Sequence, residues 1–549
     1  MASIAPAPEE PPFEFARHIV AVLHALGIRA AYGVIGREIV PLVSALHAAP
    51  LVVRYARSES GAALMALGDW TQSDRPTALF VTTGPGITNV LTGAGALRAA
   101  GAPFVLLSPL TPAEETDRGA IQETGGDGYL APREPFDYQA QIHSAAQLEI
   151  VAGRLAAGLA STPGFAAHLQ IPQTIQAMLT GGDAPAVPVH SVLPGRPDVA
   201  PIASLLRGRR VALWVGSGAR DCGPQVRELV ARTGMPVCAS PRGLGVADAC
   251  DSFVGVVGNG GHKTALEELA AFAPEYMLVL GTTRGQASSG WEPALIPSQA
   301  FVVVDRDPRA FAGGYPQVTT IGVQSALAPF LDALLEADLP RMTFTRRRAP
   351  RARLAVVEEP TPGVVHPGAA MASIQRVIVE RSDAPIFSDA SSPMFWCAHC
   401  LEFHEGGRYF TEHAWGSIGT AGAAAVGAAA ARGDVAVAVT GDAGVQMFNE
   451  INTAVQYAIP AAFVVLDDGG WGAVAHGMEA NDRPDHHAWF PPTDLAQLAT
   501  AMGAQAVRVT DAHDLDDALR RALAAGGPFL VDVVIDRSID PPMGNRTQR

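Results

Sequence analysis

Two aspartates follow two apolar segments of the sequence, each beside a glycine. Gly441-Asp442 comes after DVAVAVT, and Asp468 comes after PAAFVVLD and before Gly469-Gly470. Two carboxylates and a turn carbonyl form a hard oxygen site for Mg²⁺ or Ca²⁺, and Mg²⁺ usually keeps substrate phosphates among its ligands. The residues therefore indicate a Mg²⁺-bridged diphosphate. Gly-Asp and Asp-Gly are also common turn dipeptides, so two ordinary turns remain the alternative from these residues alone.

The elements that must position these aspartates are parallel strands. Both apolar segments predict buried strands, and MFNEINTAVQYA between them predicts a helix. A doubly wound sheet binds its ligands beyond the carboxyl ends of the strands. If the two strands are neighbours, Asp442 and Asp468 meet at one edge of the sheet.

The same alternation of strands and helices runs along the whole chain. Its 549 residues are too many for one core. We predict an α/β protein with three consecutive doubly wound parallel-sheet domains, at 1–180, 190–345 and 360–549. Residues 1–10 predict a loose leader, and the basic segment 341–353 predicts a solvated connector or, less favoured, a phosphate-binding patch.

Composition excludes some classes of function. Lys and Arg total 39 against 54 Asp and Glu, a net charge of −15, which argues against a broad nucleic-acid surface. We find no signal peptide and no long apolar run of the membrane-spanning type, and the run GTAGAAAVGAAAARG predicts a tightly packed helix. With five cysteines, the sequence predicts a reduced, cytoplasmic protein that does not bind a membrane.

The two-aspartate segment resembles the thiamine diphosphate motif, in which Gly-Asp-Gly is followed some two dozen residues later by Asn-Asn. Here the first part is Gly441-Asp442-Ala443, and Asp468 replaces the second asparagine 26 residues after Asp442, about one residue short of the usual pattern. Aspartate still supplies an oxygen. The resemblance implies that Asp442, Asp468 and the carbonyl of Gly470 bind Mg²⁺.

Three further motifs extend the resemblance to the acetolactate synthases and pyruvate decarboxylases. They are the helix YARSESGAALMALGDW with Glu59, the run FVTTGPGITNVLTGAGAL with the later ETDRGAIQET and its Gln122, and WGSIG at 415–419. The resemblance implies pyrimidine-binding, middle and diphosphate-binding domains in that order. It also implies a homodimer or homotetramer with inter-chain active sites, whose cofactors are thiamine diphosphate and Mg²⁺.

The resemblance assigns roles to individual residues. Glu59 would hydrogen-bond the pyrimidine N1′, and Ile418 would be the wedge that bends the cofactor. The Gly416 carbonyl would accept the 4′-amino proton, and Gln122 would orient an acceptor carbonyl. The other cofactor-binding residues it implies are Ser391, Ser392, Gly441, Asp442, Ala443, Gly444, Asp468, Gly470 and Trp471.

The choice of reaction depends on missing proton donors. Decarboxylases carry a histidine pair in the first domain, a glutamate at the position of Val474, or a histidine at that of Thr82. TGGDGYLAPREP has no histidine. A nucleophile that is not protonated survives to attack a second carbonyl, so we predict a carboligase acting on a 2-oxoacid, most simply pyruvate, and a carbonyl acceptor. A decarboxylase using one of His476, His486 and His487 is the alternative, and an inactive scaffold subunit is another.

Three further sequence features give weaker indications of function. Arg37, in the altered loop Val34-Ile35-Gly36-Arg37, could bind an acidic substrate or cap the loop. Gly216-Ser217-Gly218 lacks the third glycine of a dinucleotide fingerprint, so FAD stays undetermined. Cys397 and Cys400 form a single CxxC, which predicts no metal.

Overall fold

The computed structural model describes residues 13–112, 114–123, 135–190, 195–347 and 361–543. The predicted leader, the histidine-free segment up to residue 134 and part of the basic connector lie outside these ranges. The chain divides into two compact units, at 1–192 and 193–549. Within the described ranges, every helix is too short or too polar to cross a membrane.

The first unit is built on a six-stranded parallel sheet with the strand order β3-β2-β4-β5-β7-β6, and β1 pairs with β8 antiparallel. The strands are β1 (Phe13–Glu14), β2 (Ala30–Gly33), β3 (Val52–Tyr55), β4 (Thr77–Phe80), β5 (Phe104–Leu110), β6 (Tyr138–Gln141), β7 (Ala166–Pro172) and β8 (Leu179–Thr180). The helices are α1 (Ala16–Ala25), α2 (Val40–Ala48), α3 (Glu59–Ser73), α4 (Pro85–Ala100), α5 (Gln147–Ser161) and α6 (Gln173–Gln176).

The second unit holds two more six-stranded parallel sheets. The earlier sheet has the order β11-β10-β9-β12-β13-β14. Its strands are β9 (Val211–Val215), β10 (Val237–Ala239), β11 (Phe253–Val256), β12 (Tyr276–Leu280), β13 (Ala300–Asp305) and β14 (Thr320–Gln324). Its helices are α7 (Ala200–Leu206), α8 (Gly223–Thr233), α9 (Lys263–Phe272), α10 (Gln286–Ser289) and α11 (Leu327–Glu336).

The last sheet has the order β16-β15-β17-β18-β20-β19. Its strands are β15 (Ile386–Ser388), β16 (Tyr409–Thr411), β17 (Ala436–Gly441), β18 (Ala461–Asp467), β19 (Gln505–Val509) and β20 (Phe529–Val534). Its helices are α12 (Pro367–Ile374), α13 (Ser392–Cys400), α14 (Thr420–Arg432), α15 (Asp442–Val445), α16 (Glu450–Gln456), α17 (Gly472–Glu479), α18 (Leu495–Ala501) and α19 (Ala512–Ala524).

Three parallel sheets with flanking helices confirm the predicted fold class. Each sheet lies within one of the predicted domain ranges, although the boundaries themselves stay predictions. The alanine-rich run forms the buried helix α14, where Gly422 leaves no room for a side chain because a Cβ there would overlap the Phe448 ring. Small residues thus let α14 pack directly on the sheet that carries the two aspartates.

Candidate functional site

The two predicted carboxylates come together at the edge of the last sheet. Strands β17 and β18 are parallel neighbours, with Gly441 opposite Leu466, so their carboxyl ends coincide. The Asp442 and Asp468 carboxyl groups lie within hydrogen-bond reach of each other. Burial, followed by the charge of Asp468, raises the pKa of Asp442 to about 8, and burial raises the pKa of Asp468 to about 6. Such a pair favours a nearby cation.

One oxygen of this pair lacks a partner. Asp442 is 4% exposed, and its Oδ1 is a buried atom without a hydrogen bond. A buried carboxylate oxygen without a partner is costly unless something binds it. The residues therefore fit a divalent cation. No cluster of three or more His, Cys, Asp or Glu side chains suited to a metal occurs in the described ranges, so further ligands would have to be backbone or cofactor oxygens.

Glycines shape the site around Asp468. A Cβ at Gly472, the first residue of α17, would overlap the Asp468 carboxylate. Gly470 forms an isolated bridge with Trp489, and a Cβ at Gly470 would lie 2.5 Å from the Ala488 carbonyl oxygen. The turn after β18 is thereby held closed without a side chain between the carboxylate and the helix.

A cleft with about 430 Å³ of empty space opens at these strand ends. It brings together most of the predicted cofactor-binding residues. These are Ser391, Ser392, Ile418, Gly441, Asp442, Ala443, Gly444, Asp468, Gly470 and Trp471; the lining also includes Pro393, Leu466, Gly472, Ala473 and Val474. Gly416 is exposed at φ 74° and is not among the lining residues.

One wall of the cleft suits an anion. Helix α13 begins at Ser392 with Pro393 in its first turn, and Ser391 and Ser392, whose hydroxyl groups can donate hydrogen bonds, both line the cleft. The short helix α15 begins at Asp442 and also lines the cleft, through Asp442, Ala443 and Gly444. A diphosphate placed here would meet hydrogen-bond donors and, through a cation, the carboxylate pair.

Asp389 is a site residue that sequence reasoning missed. It is fully buried after β15 and accepts hydrogen bonds from Ala421 N (2.9 Å) and the Thr440 hydroxyl. The amides of Gly419 and Thr420 also hydrogen-bond it, while burial raises its pKa. Asp389 thus joins the start of α14, next to Ile418, to the end of β17. Its position after an apolar segment was the same signal that identified Asp442.

A charge network that the sequence did not reveal lies behind the aspartate pair. Arg508 Nη1 lies 2.5 Å from the Asp532 carboxylate, and its Nη2 lies 3.3 Å from that of Asp467. Asp532 is fully buried, and burial followed by the charge of Asp467 raises its pKa to about 7. Arg508 therefore offsets negative charge at the edge where Asp442 and Asp468 accumulate it.

Glu59 lies in the first unit, at the first position of α3. Ser58 caps this helix by accepting a hydrogen bond from Gly61 N at 3.0 Å. Asn89 Nδ2 donates to Glu59 Oε2 at 3.2 Å, so an amide on α4 orients the half-buried carboxylate. The helix start and this contact give Glu59 a fixed direction.

Gln122 lies in a loop that Glu123 holds closed by accepting hydrogen bonds from the amides of Asp117, Gly119 and Ala120. Gln122 itself is exposed at φ 58° and contacts the Thr82 hydroxyl at 3.1 Å. The same hydroxyl lies 3.2 Å from a carboxylate oxygen of Glu38, a residue that sequence reasoning missed.

The three histidines that follow the thiamine diphosphate motif in the sequence are not part of the cleft lining. His476 is buried against the Trp489 ring, with Nδ1 2.8 Å from an Asp540 oxygen. His486 and His487 are exposed and have positive φ, 46° and 63°. Arg37 also is exposed, with its Nε 3.5 Å from a Glu38 oxygen.

Gly216 and Gly218, which follow β9 in the middle sheet, allow the backbone to approach Gly281 closely. A Cβ at Gly216 would lie 2.5 Å from the Gly281 carbonyl oxygen, and one at Gly218 would lie 2.8 Å from the Gly281 Cα. No α-helix starts directly after β9, where a dinucleotide fold would place one, since α8 begins only at Gly223. Cys397 and Cys400 both lie in α13 and are not joined by a disulfide.

Comparison with known families identifies the class. Residues 13–129 match the N-terminal TPP binding domain of thiamine pyrophosphate enzymes, 200–334 their central domain, and 389–533 their C-terminal TPP binding domain. Together these three matches span most of the chain in the family's order. The chain belongs to the thiamine pyrophosphate enzymes, which confirms the predicted superfamily.

Individual relatives indicate which thiamine pyrophosphate enzymes the chain is similar to. The chain is 29% identical to a provisionally named acetolactate synthase large subunit, IlvB2, of Mycobacterium tuberculosis, over 96% of this chain and 98% of the relative. It is 25% identical to the acetolactate synthase isozyme 2 large subunit of Escherichia coli, over 95% of both chains. It is 23% identical to the acetolactate synthase large subunit of Haemophilus influenzae, over 95% and 94%. The protein is thus an acetolactate synthase-like, thiamine diphosphate-dependent enzyme, and the scaffold alternative is set aside.

Proposed function

We propose that this enzyme uses thiamine diphosphate with Mg²⁺ to decarboxylate a small 2-oxoacid, most simply pyruvate, and to join the remaining acyl unit to a second carbonyl compound. The bound cofactor supplies the carbon nucleophile and retains the electron pair that decarboxylation leaves. In the net reaction, one C–C bond breaks to release CO₂ and another forms to the acceptor carbonyl carbon. One proton is taken up on the former acceptor oxygen.

The cleft supports the proposed binding mode. Asp442, Asp468 and the Gly470 carbonyl would hold Mg²⁺, which the unpartnered Asp442 oxygen favours. Ser391, Ser392 and the Gly441–Gly444 turn would hold the diphosphate.

Other residues would orient the organic part of the cofactor. Ile418 lines the same cleft, and its branched side chain suits the role of a wedge because it has few rotamers. Gly416 would accept a hydrogen bond through its carbonyl. Glu59, held by Asn89, would bind the pyrimidine N1′ and favour the proton transfer that activates the cofactor.

The observation that carries carboligation is Val474. It lines the cleft and is 45% exposed, at the position where decarboxylase relatives carry a glutamate. A valine cannot deliver a proton, so this position would favour transfer of the acyl unit to a carbonyl acceptor over release of a free aldehyde. The decarboxylase alternative needs His476, His486 or His487, and none of these lines the cleft.

A 2-oxoacid screen with product analysis tests the proposal. The full-length enzyme with thiamine diphosphate and Mg²⁺ is given each 2-oxoacid alone and with aldehyde or ketone acceptors. Acyloins or acetohydroxyacids are expected as main products. Free aldehyde as the dominant product under every condition would contradict carboligation. We further propose a homodimer or homotetramer, which mass measurement of the native enzyme would check.

A further inference from the structure

The Thr82 hydroxyl lies between two hydrogen-bond acceptors. Its Oγ1 is 3.2 Å from Glu38 Oε2 and 3.1 Å from Gln122 Oε1. A hydroxyl carries one proton and can donate to one acceptor at a time. Thr82 therefore cannot donate to Glu38 and to Gln122 at the same time, so one of these three side chains must rotate.

Glu38 decides which group turns. Arg37 Nε lies 3.5 Å from Glu38 Oε1 and pairs with Glu38 as a carboxylate, and a carboxylate only accepts hydrogen bonds. Thr82 then donates to Glu38. Gln122 can hydrogen-bond Thr82 only through its amide nitrogen, because the hydroxyl oxygen keeps free lone pairs. The two ends of an amide have nearly the same shape, so their assignment follows from these partners.

The backbone of Gln122 is restrained by its neighbours, whereas its side-chain amide can turn. The Thr83 hydroxyl donates to the Gln122 carbonyl oxygen at 3.3 Å. Gly84 has φ 59°, and a Cβ there would lie 3.1 Å from the same oxygen. The hydrogen bond from Thr83 and the close approach of Gly84 restrain the Gln122 backbone, so Glu38 can act on the orientation of the side-chain amide.

We propose that Glu38 is a positioning residue that, through Thr82, turns the side-chain oxygen of Gln122 toward the acceptor substrate. This inference rests on the proposed carboligation and on the role of Gln122 in acceptor binding. An outward oxygen accepts a hydrogen bond and cannot donate one to a carbonyl. We therefore infer an acceptor that carries a hydrogen-bond donor beside its carbonyl group, and a hydroxyl group on the neighbouring carbon is the simplest such donor.

The test compares two acceptors that differ by that hydroxyl. With pyruvate as donor, kcat/KM is measured for hydroxyacetaldehyde and for acetaldehyde in the wild type, Glu38→Gln, Thr82→Val and the double variant. The wild type is expected to prefer hydroxyacetaldehyde about tenfold, the effect of one hydrogen bond. In Glu38→Gln, the new amide donates to Thr82, Thr82 donates to the Gln122 oxygen, and the nitrogen turns outward. The preference should fall about tenfold.

Variants of Thr82, the residue that connects Glu38 to Gln122, provide the controls. In the Thr82→Val background, Glu38→Gln should leave the ratio unchanged, because the hydroxyl that couples the two side chains is gone. Thr82→Ser keeps the hydroxyl and should keep the wild-type ratio. This result would show that the hydroxyl, and not a loss of folding, accounts for the effect of Thr82→Val. A ratio within twofold of the wild type in folded, active Glu38→Gln overturns the inference while carboligation stands. No C–C product from the wild type with any acceptor overturns the proposed function, and this inference with it.

Discussion

Asp442 and Asp468 lie at the coinciding ends of two neighbouring parallel strands, close enough for their carboxyl groups to hydrogen-bond. Burial and the charge of Asp468 together raise the pKa of Asp442 to about 8. Relatives with the usual motif have an asparagine in place of the second carboxylate, so this chain adds one negative charge to the site. The binding of Mg²⁺ would relieve a repulsion that the fold imposes.

The first prediction separates the two carboxylates. Asp442→Ala should weaken Mg²⁺-dependent binding of thiamine diphosphate by roughly 100-fold or more, at or beyond the upper end of effects seen around metal sites. Asp468→Asn should change it little, because the amide retains an oxygen, and should stabilise the ion-free protein by removing the repulsion. Isothermal titration measures cofactor binding in both variants, and urea unfolding measures the stability of the ion-free protein. Asp517→Asn, whose side chain is 73% exposed, is the control. The opposite ranking would refute the ligand assignment.

The second prediction uses two glycines of α17. Gly472→Ala should weaken Mg²⁺ binding because the new methyl group overlaps the Asp468 carboxylate. Gly477→Ala, in the same helix, meets no atom within 4 Å and should stabilise the protein by about 1 kcal/mol through helix propensity. Metal titration and urea unfolding of both variants make the comparison. Equal metal affinity in the two variants would show that the space around Asp468 is not critical.

The third prediction concerns Glu59. Glu59→Gln should leave the fold and metal binding intact and lower kcat by about 10²–10⁴-fold, the usual worth of acid–base assistance. Glu149→Gln is the matched control, because Glu149 is an exposed glutamate in the first turn of α5. Steady-state kinetics with saturating cofactor gives the result. Wild-type turnover in Glu59→Gln would remove this residue from the mechanism.

The fourth prediction concerns Asp389. Asp389→Asn should cost about 1–3 kcal/mol of unfolding free energy, since a buried acceptor of backbone and hydroxyl protons is replaced by a partial donor. Cofactor affinity should fall as well, because Asp389 connects the Ile418 loop to the end of β17. Asp511→Asn is the control, an exposed N-cap of α19 where asparagine caps equally well. If both variants unfold and bind cofactor alike, Asp389 has no positioning role.

The fifth prediction is the effect of pH on the first unit. Burial lowers the pKa of His168 to about 3, against 6.5 in an unfolded chain. The unfolded state therefore binds a proton below pH 6.5 that the folded state excludes. His168 alone should lower the unfolding free energy by about 1.4 kcal/mol for each pH unit below 6.5, down to about pH 3.

His168→Gln should flatten this acid limb, because the amide stays neutral and can still hydrogen-bond Ser108, which lies 2.8 Å from His168 Nε2. His143→Gln, at an exposed histidine, should retain the wild-type slope. Urea unfolding at pH 5 and pH 7 measures the difference. An unchanged slope in His168→Gln would assign the acid sensitivity to other groups.

Local patterns made much of the site predictable. An apolar segment followed by an aspartate next to glycine predicts a buried strand with a carboxylate at its end, and Asp442 and Asp468 lie at such ends. The motif resemblance added Ser391, Ser392 and Ile418, all of which line the cleft. These residues could be found because each lies close in sequence to the feature that identifies it.

The sequence by itself determined the fold class and the thiamine diphosphate family, because hydrophobic periodicity and short motifs are local properties of the chain. Only the tertiary structure decided which side chains contact one another. Arg508 meets Asp467 across 41 residues, and Thr82 meets Glu38 across 44 and Gln122 across 40. Contacts of this kind depend on strand order and on side-chain direction. No local pattern encodes them, since the same residues with another strand order would face other neighbours.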